Sequence, residues 1–531
     1  MKINIFLGGL IWISSVGYVS AQQDIPTNWH HLDEESDQFR GVSTQKAYEL
    51  LKGRKSKTVV VAVIDSGVEI DHDDLKGNIW TNPKEKPGNG IDDDQNGYVD
   101  DIHGWDFIGG KDGKDVDHDN YELTRIYVHL KKKYGGKNAA EIAKKDQKEF
   151  EYYQKIKTDF EQKVEELNNE YNQIKQTLTM ISQCLETLTE HLGKDNFNIQ
   201  DVKGITSQDT RIQRAKFILT DVFSNDPSMD AQTLKSEVTE YQEYFEGQLN
   251  YGYNTEFDPR SIVADNYTDT SEKSYGNNEV EGPDAEHGTH VSGIIAAIRG
   301  NDLGMDGIAD NVRIMVIRTV PDGDERDKDV ANAIRYAADN GARIINMSFG
   351  KDYSPQKEVV DEAVKYAEAK GVLLIHAAGN DSKDIDKEAN YPNKYFSQGG
   401  ASSLWIEVGA SSMGDESNFV GDFSNYGQKN VDIFAPGVQI YSTVPDGQFK
   451  NLQGTSMAAP VVSGVAALLM SYFPDLSSAE IRDILMKSSR KYPLEVTKPG
   501  DTSKIAFEKL SVSGGIINAY EAVKMALSKS K

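Results

Sequence analysis

Cysteine is almost missing from this chain: among 531 residues there is one, Cys184. No disulfide can therefore close within it, and any added stapling must come from core size or bound metal. Basic residues are under-represented, 58 Lys and Arg against 84 Asp and Glu, for a net charge of −26. Phosphate repels such a chain, which excludes general nucleic-acid binding, whereas cations are attracted to it. Proline is absent from residues 88 to 226, and from 137 to 226 glycine is sparse, with only Gly193 and Gly204. A stretch poor in both punctuators is not a series of turns. Long apolar runs are also scarce. The N-terminus carries one over residues 3–13, behind Lys2 and ahead of Val19-Ser20-Ala21. This pattern reads as a signal peptide over residues 1–21, cleaved after Ala21. The alternative is an uncleaved anchor over residues 3–19, which Ser14, Ser15 and Gly17 weaken. No cysteine follows the run to carry a lipid, and no later segment is expected to be long and apolar enough to cross a membrane. Export without disulfides points to a bacterial-type periplasmic or extracellular protein.

What is present sorts into two kinds of sequence. In the proline-free middle, Phe160, Val164, Leu167, Tyr171, Ile174, Leu178, Ile181, Leu185, Leu188 and Leu192 recur in steps of four and three. That is a heptad seam. Asn138 with Glu141 resembles a capping box and Gly193 a C-terminal cap, so a helix over 139–192 is expected. Two return stretches carry Ile212, Ile218, Leu219, Val222 and Phe223, then Leu234, Val238, Tyr241, Phe245 and Leu249. The seam is buried either by these returns, as a coiled-coil-like hairpin, or by a partner, as a dimer or docking arm. The flanks instead hold apolar, β-branched runs at residues 58–64, 313–318, 343–347 and 372–376, with helical patterns at 330–340 and 357–370. Strands alternating with helices imply an α/β fold with a parallel sheet between helix layers. One such domain is interrupted by a helical insertion. The expected division is 1–21 signal, 22–57 N-terminal extension, 58–120 first part of the α/β domain, 121–275 insertion and 276–531 second part.

Four motifs carry the chemistry. They are Val63-Ile64-Asp65-Ser66-Gly67, His287-Gly288-Thr289-His290-Val291, Ala377-Ala378-Gly379-Asn380, and Gly454-Thr455-Ser456-Met457-Ala458-Ala459-Pro460. Each alone is compatible with a turn, a cap or a structural histidine. Together and in this order they resemble the subtilisin-type serine proteases, the subtilases, over about residues 30–110 and 280–525. The insertion matches nothing in that pattern. The resemblance implies a three-layer subtilisin-like fold and a serine endopeptidase acting on protein or peptide substrates. Ser456 would be the nucleophile, His287 its base and Asp65 the group that orients the imidazole. The Asn380 amide and the Ser456 N–H would form the oxyanion hole. Ser348, Phe349 and Gly350 would make one wall of the P1 pocket and Ala377, Ala378 and Gly379 the other, with substrate added as a strand. The segment containing Asp322, Asp324, Glu325 and Asp327 falls near the P2–P4 subsites. Its four carboxylates either favour basic residues there or form a solvated loop.

A separate loop suggests metal. Asp92, Asp94, Asn96, Tyr98 and Asp100 stand at positions 1, 3, 5, 7 and 9 of a calcium-loop pattern, with Gly97 at position 6. Position 12 is His103 rather than glutamate, and the flanks are not helical. The reading is a structural Ca²⁺, with an acidic turn as the alternative. Asp112, Asp115, Asp117 and Asp119 read as a solvated cluster. Two departures from the family pattern stand out. Asp65 lies only 44 residues past Ala21, too few for the inhibitory prodomain of many subtilases. The insertion, which separates Asp65 from His287, is expected to gate access or recruit protein substrates. The competing class is a catalytically silent binding or scaffold protein on the same frame; a lipase-type hydrolase is excluded because Ser456 lies outside any G-x-S-x-G elbow.

Overall fold

A computed structural model describes residues 25–225 and 229–529. The proposed signal peptide at residues 1–21 lies outside these. The described chain forms two compact units. One joins Met1–Glu122 to Asp258–Lys531, and the other is Leu123–Phe257.

The first unit is built on β1 (Val59–Asp65), β2 (Gly104–Asp106), β3 (Val312–Arg318), β4 (Ile344–Met347), β5 (Leu373–Ala377), β6 (Trp405–Ser411) and β7 (Ile433–Pro436). An antiparallel ribbon follows, β8 (Ile440–Val444) with β9 (Gln448–Leu452). Then come β10 (Arg490–Lys491), a second ribbon of β11 (Glu495–Thr497) and β12 (Lys504–Ala506), and β13 (Gly515–Ile516). Nine strands make one sheet in the order β10-β13-β7-β6-β5-β4-β1-β3-β2. Every neighbouring pair is parallel except β10 with β13.

The run Val59-Val-Val-Ala-Val-Ile-Asp65 becomes the central β1 because both of its faces are covered. Val61 and Val63 enter one core with helices Glu286–Ala296 and Thr455–Tyr472; Ala62 and Ile64 enter the other with helices Asp327–Asp339 and Lys357–Ala369. Side chains alternate across a strand, so a strand buried on both faces needs no polar positions. This is the three-layer arrangement that the subtilase resemblance implies. Helix Thr455–Tyr472 has the length and hydropathy of a membrane span, with 89% of that window buried inside this unit. That differs from the expectation that no segment past the N-terminus has this length and hydropathy. The reason is burial on all sides of a core helix, which selects the same composition as lipid does.

The N-terminal segment packs into the first unit. Trp29 is fully buried, its Nε1 donates to the Gln439 carbonyl at 3.0 Å, and Val42, Ala47 and Leu51 share its core.

The second unit is helical. Its longest element, Gln147–Leu192, has 46 residues and so extends roughly 70 Å at about 1.5 Å per residue. It starts later than residue 139. The Asn138–Glu141 capping box exists, but it closes only the single turn Ala139–Glu141 before Ile142 and Ala143 turn extended. Gly193 is left-handed and caps the end. Leu178, Ile181, Leu185 and Leu188 of the seam are covered by Leu219 and Phe223 of Thr210–Asn225 and by Leu234 and Val238 of Ala231–Gly247. The hairpin thus buries this part of its seam with its own returns.

Removing the Trp29 ring by Trp29→Ala should cost about 3–5 kcal/mol of stability, the usual range for a fully buried aromatic. Guanidinium denaturation measures it. A loss below about 1 kcal/mol would make the N-terminal segment a mere appendage.

Candidate active site

Asp65 ends β1 and His287 sits in the first turn of Glu286–Ala296. Their approach depends on two glycines. A Cβ on Gly288 would lie 2.0 Å from the Gly67 carbonyl oxygen, and one on Gly67, at φ +132°, would lie 1.8 Å from that of Glu281. With no side chains there, the helix settles against the Asp65–Gly67 turn. His287 Nδ1 then meets Asp65 Oδ1 at 2.6 Å, across 222 residues of sequence. Asp65 Oδ1 also accepts from the Ser66 N–H at 2.8 Å, and the carboxylate is 2% exposed. Burial opposes a charge on the imidazole. The Asp65 carboxylate and its hydrogen bond, with Asp284 and Glu286 nearby, outweigh that and raise the His287 pKa above 6.5. His290 is a different case. It is buried, its Nε2 lies 3.0 Å from the Ile440 carbonyl, and burial pushes its pKa down to about 3. That is a structural histidine.

Ser456 is the second residue of Thr455–Tyr472, where unsatisfied N–H groups give the helix end a partial positive charge. Its hydroxyl donates to the Ser348 carbonyl at 3.0 Å. Four residues on, Pro460 supplies no N–H to the Ser456 carbonyl. The Ser348 hydroxyl fills that vacancy, donating to the Ser456 carbonyl at 2.9 Å. The two segments are thus tied by reciprocal bonds. Ser348 also accepts from Asn346 Nδ2 at 2.9 Å, and Asn346 Oδ1 accepts from Ser463 at 2.8 Å.

Asn380 follows β5 through Ala378 and Gly379. Its Oδ1 accepts from the Thr455 N–H at 2.9 Å and the Thr455 hydroxyl at 3.0 Å. That fixes the amide with its NH₂ as the outward donor. The residue itself is exposed. Gly379 has φ +98°, and a Cβ there would lie 2.4 Å from Asn425 Nδ2. Asn390 and Asn425 both donate to the Ala378 carbonyl, at 3.1 and 2.8 Å. So Asp65 meets His287, Ser456 meets Ser348, and Asn380 meets the start of the Ser456 helix.

In the acidic loop, carboxylate oxygens of Glu85, Asp92 and Asp94 lie within 4.8 Å of one another. Glu85 Oε2 is buried and has no hydrogen-bond partner. An orphan carboxylate oxygen facing two more carboxylates is a donor set suited to a hard divalent cation. Asn96 Oδ1 accepts from the Tyr98 N–H at 2.8 Å. The Tyr98 ring packs on Trp105, Phe107 and Tyr336, so only its main chain is available to an ion. Asp100, expected as a ligand, is not brought to this cluster. At φ 53° it turns away, and its carboxylate accepts from the Asn89 and Gly90 N–H groups at 3.2 and 2.8 Å.

The Subtilase family profile matches residues 56–508. The chain belongs to the subtilase family. It is 40% identical over 239 residues to "Thermophilic serine proteinase" of Bacillus sp. (strain AK1), covering 45% of this chain and 52% of that one. It is 38% identical to "Cell wall-associated protease" of Bacillus subtilis (strain 168), over 44% of this chain and 24% of that one. It is 36% identical to "Thermitase" of Thermoactinomyces vulgaris, over 45% of this chain and 75% of that one. The chain thus spans about half the length of the first of these relatives and a quarter of the second.

Within this subtilase the Asp322–Asp327 segment is solvated only in part, the Asp322 side chain being 65% exposed. Glu325 and Asp327 point inward, 1% and 2% exposed. Burial pushes the Glu325 carboxyl up to about 8, against the pull of Lys351. Asp322 pairs with His118 at 2.8 Å and Asp324 accepts from the Glu122 N–H at 2.7 Å. A buried lysine and the roots of the insertion, which no local pattern reveals, draw Glu325 and Asp327 in. Sequence reasoning also missed Thr455, Asn390 and Glu85. Only Thr455 carried a signal, its place inside the Ser456 motif.

Because the Asp65 carboxylate raises the His287 pKa, neutral imidazole is lost as pH falls through a value above 6.5. NMR titration should place His287 above 6.5 in the native chain and below it in Asp65→Asn, where burial acts unopposed by that charge. An unchanged titration would remove Asp65 from the account.

Proposed function

We propose that this subtilase is an exported serine endopeptidase hydrolysing peptide bonds through Asp65, His287 and Ser456. The observation that carries the reading is the 2.6 Å Asp65–His287 bond, taken together with a helix N-terminus that bears Ser456 and an amide held by Thr455. His287 is the base. Its Nδ1–H is held by Asp65, which leaves Nε2 to take the serine proton. Ser456 leaves its bond to the Ser348 carbonyl by rotating about χ1, and attacks the scissile carbonyl. The proton passes from His287 to the leaving amine, and water then resolves the acyl-enzyme by the same steps reversed. The Asn380 NH₂ and the Ser456 N–H stabilise the oxyanion. Substrate main chain lies along Ser348–Gly350 on one side and Ala377–Gly379 on the other. The cell-wall association in one relative's name accords with export to the periplasm or exterior, as the N-terminal pattern implies.

In the same reading the acidic loop binds calcium, held by Glu85, Asp92 and Asp94 with support from Asn96 and the Tyr98 main chain. Bound calcium would neutralise three crowded carboxylates and brace a chain without disulfides. The silent-scaffold alternative has one observation in its favour, the engagement of the Ser456 hydroxyl by Ser348. It predicts no turnover of any peptide by the intact chain.

Casein hydrolysis should be abolished in Ser456→Ala. Asn380→Ala should lower kcat by about 10²–10³, or about 2.7–4 kcal/mol, a magnitude drawn from this same family. Undiminished activity in either variant would refute the assignment. Calcium at about 100 times its Kd should stabilise the fold by about 2.7 kcal/mol. EDTA should reverse this in scanning calorimetry, and Glu85→Gln should blunt it. A melting temperature indifferent to both would leave the loop an acidic turn.

A further inference from the structure

Lys351 directly follows the Ser348–Gly350 segment, yet its side chain is 1% exposed. Its ammonium donates to Glu122 Oε2 at 2.8 Å and to the Glu325 carbonyl at 2.7 Å, and pairs with Asp327 Oδ1 at 2.9 Å. Both carboxylates are themselves 3% exposed. Its backbone exchanges two 2.9 Å bonds with Tyr391, the residue after the Asn390 that braces Ala378. Asp327 also accepts from Ser354 and from the Gln356 N–H, at 3.0 and 2.8 Å.

Glu122 is the last residue of the first unit before the chain leaves for the helical one. Its neighbours at both stems are held in the same way. On the exit stem, Asp119 pairs with Arg326 at 2.6 Å, buried rather than solvated. On the return stem, Arg260 bridges Asp265 and Asp329, each at 2.6 Å. Lys328, fully buried, binds Asp265 and Glu272 at 2.6 and 3.0 Å. The stems therefore converge on residues 325–329, and Lys351 joins that cluster to the substrate segment.

We propose that Lys351 is a positioning residue for substrate binding, fixing the Ser348–Gly350 segment to the root of the insertion through Glu122 and Asp327. The proposal rests on the protease reading above. A buried charge that loses its partner is costly, so the segment stays in place only while the cluster is complete. The points where the chain leaves and re-enters the first unit are then tied to the Ser348–Gly350 segment within that unit.

The test compares Lys351→Met, Lys351→Arg, Glu122→Gln and the Lys351→Met/Glu122→Gln pair in the full chain. Two readouts are taken: KM and kcat on a peptide spanning P4 to P2′, and the rate of fluorophosphonate labelling, which needs no extended substrate strand. Lys351→Met should raise KM about tenfold or more while slowing labelling less than threefold. Lys351→Arg should restore most of the KM. Glu122→Gln in the double variant should recover part of it by removing the stranded carboxylate. A KM unchanged in Lys351→Met, or KM and labelling deteriorating together, would overturn the proposal. Should Lys351→Met not fold, Glu122→Gln alone must raise KM with labelling preserved, and an unchanged KM there is equally contrary. A wild-type chain that resists labelling would instead refute the protease reading.

Discussion

The hydrogen bond between Asp65 and His287 is the constraint around which the first unit is arranged. It joins two points of the chain 222 residues apart, so the whole helical unit must leave and return without disturbing it. Three separate features permit that bond. β1 is buried on both faces and delivers Asp65 at its carboxyl end. Gly67 and Gly288 let the histidine helix approach the turn at main-chain distance. The stems of the insertion are locked by buried ion pairs, so the excursion between them does not loosen the sheet. In open parallel sheets, functional groups collect beyond the carboxyl ends of the strands. Asp65 at the end of β1, Ser348 after β4 and Asn380 after β5 follow that rule.

The second organising feature is reciprocity between Ser348 and Ser456. A proline inside the serine helix frees one carbonyl, and the Ser348 hydroxyl supplies the donor that satisfies it. A buried polar group without a partner would be costly, so the helix and the segment hold each other. The chain Ser463, Asn346, Ser348 continues this tie into the helix. Asn380 is fixed by Thr455 in the same manner. The polar groups around Ser456 are therefore oriented by bonds within the protein, which is what the proposed stabilisation of an oxyanion would require.

Much of this was legible in the sequence, and what was legible has a common physical cause. β1, β3, β4 and β5 are apolar β-branched runs whose ends fall within a residue of expectation, because burial on both faces leaves a continuous signal. The heptad seam and its two returns were equally plain. The four motifs located Asp65, His287, Asn380 and Ser456. What stayed hidden depends on partners distant in sequence. Lys351 carries no local sign of burial, and its partners Glu122 and Asp327 meet it only in the fold. Glu325 and Asp327 read as an acidic rim until the insertion roots draw them inward. Asp100 fits a calcium-loop pattern by spacing alone, but its positive φ sends the carboxylate to two backbone amides. Glu85, outside the pattern, takes the place beside Asp92 and Asp94. The capping box at Asn138 was real and misleading, since it caps one turn rather than the long helix.

The measurement that bears most directly on the central claim is peptide mapping by mass spectrometry after exposure of the intact chain to a fluorophosphonate. A serine made nucleophilic by His287 and Asp65 predicts a single adduct on Ser456, formed more slowly as pH falls and lost in Asp65→Asn. An adduct on another serine, or none on a folded chain, would contradict the account.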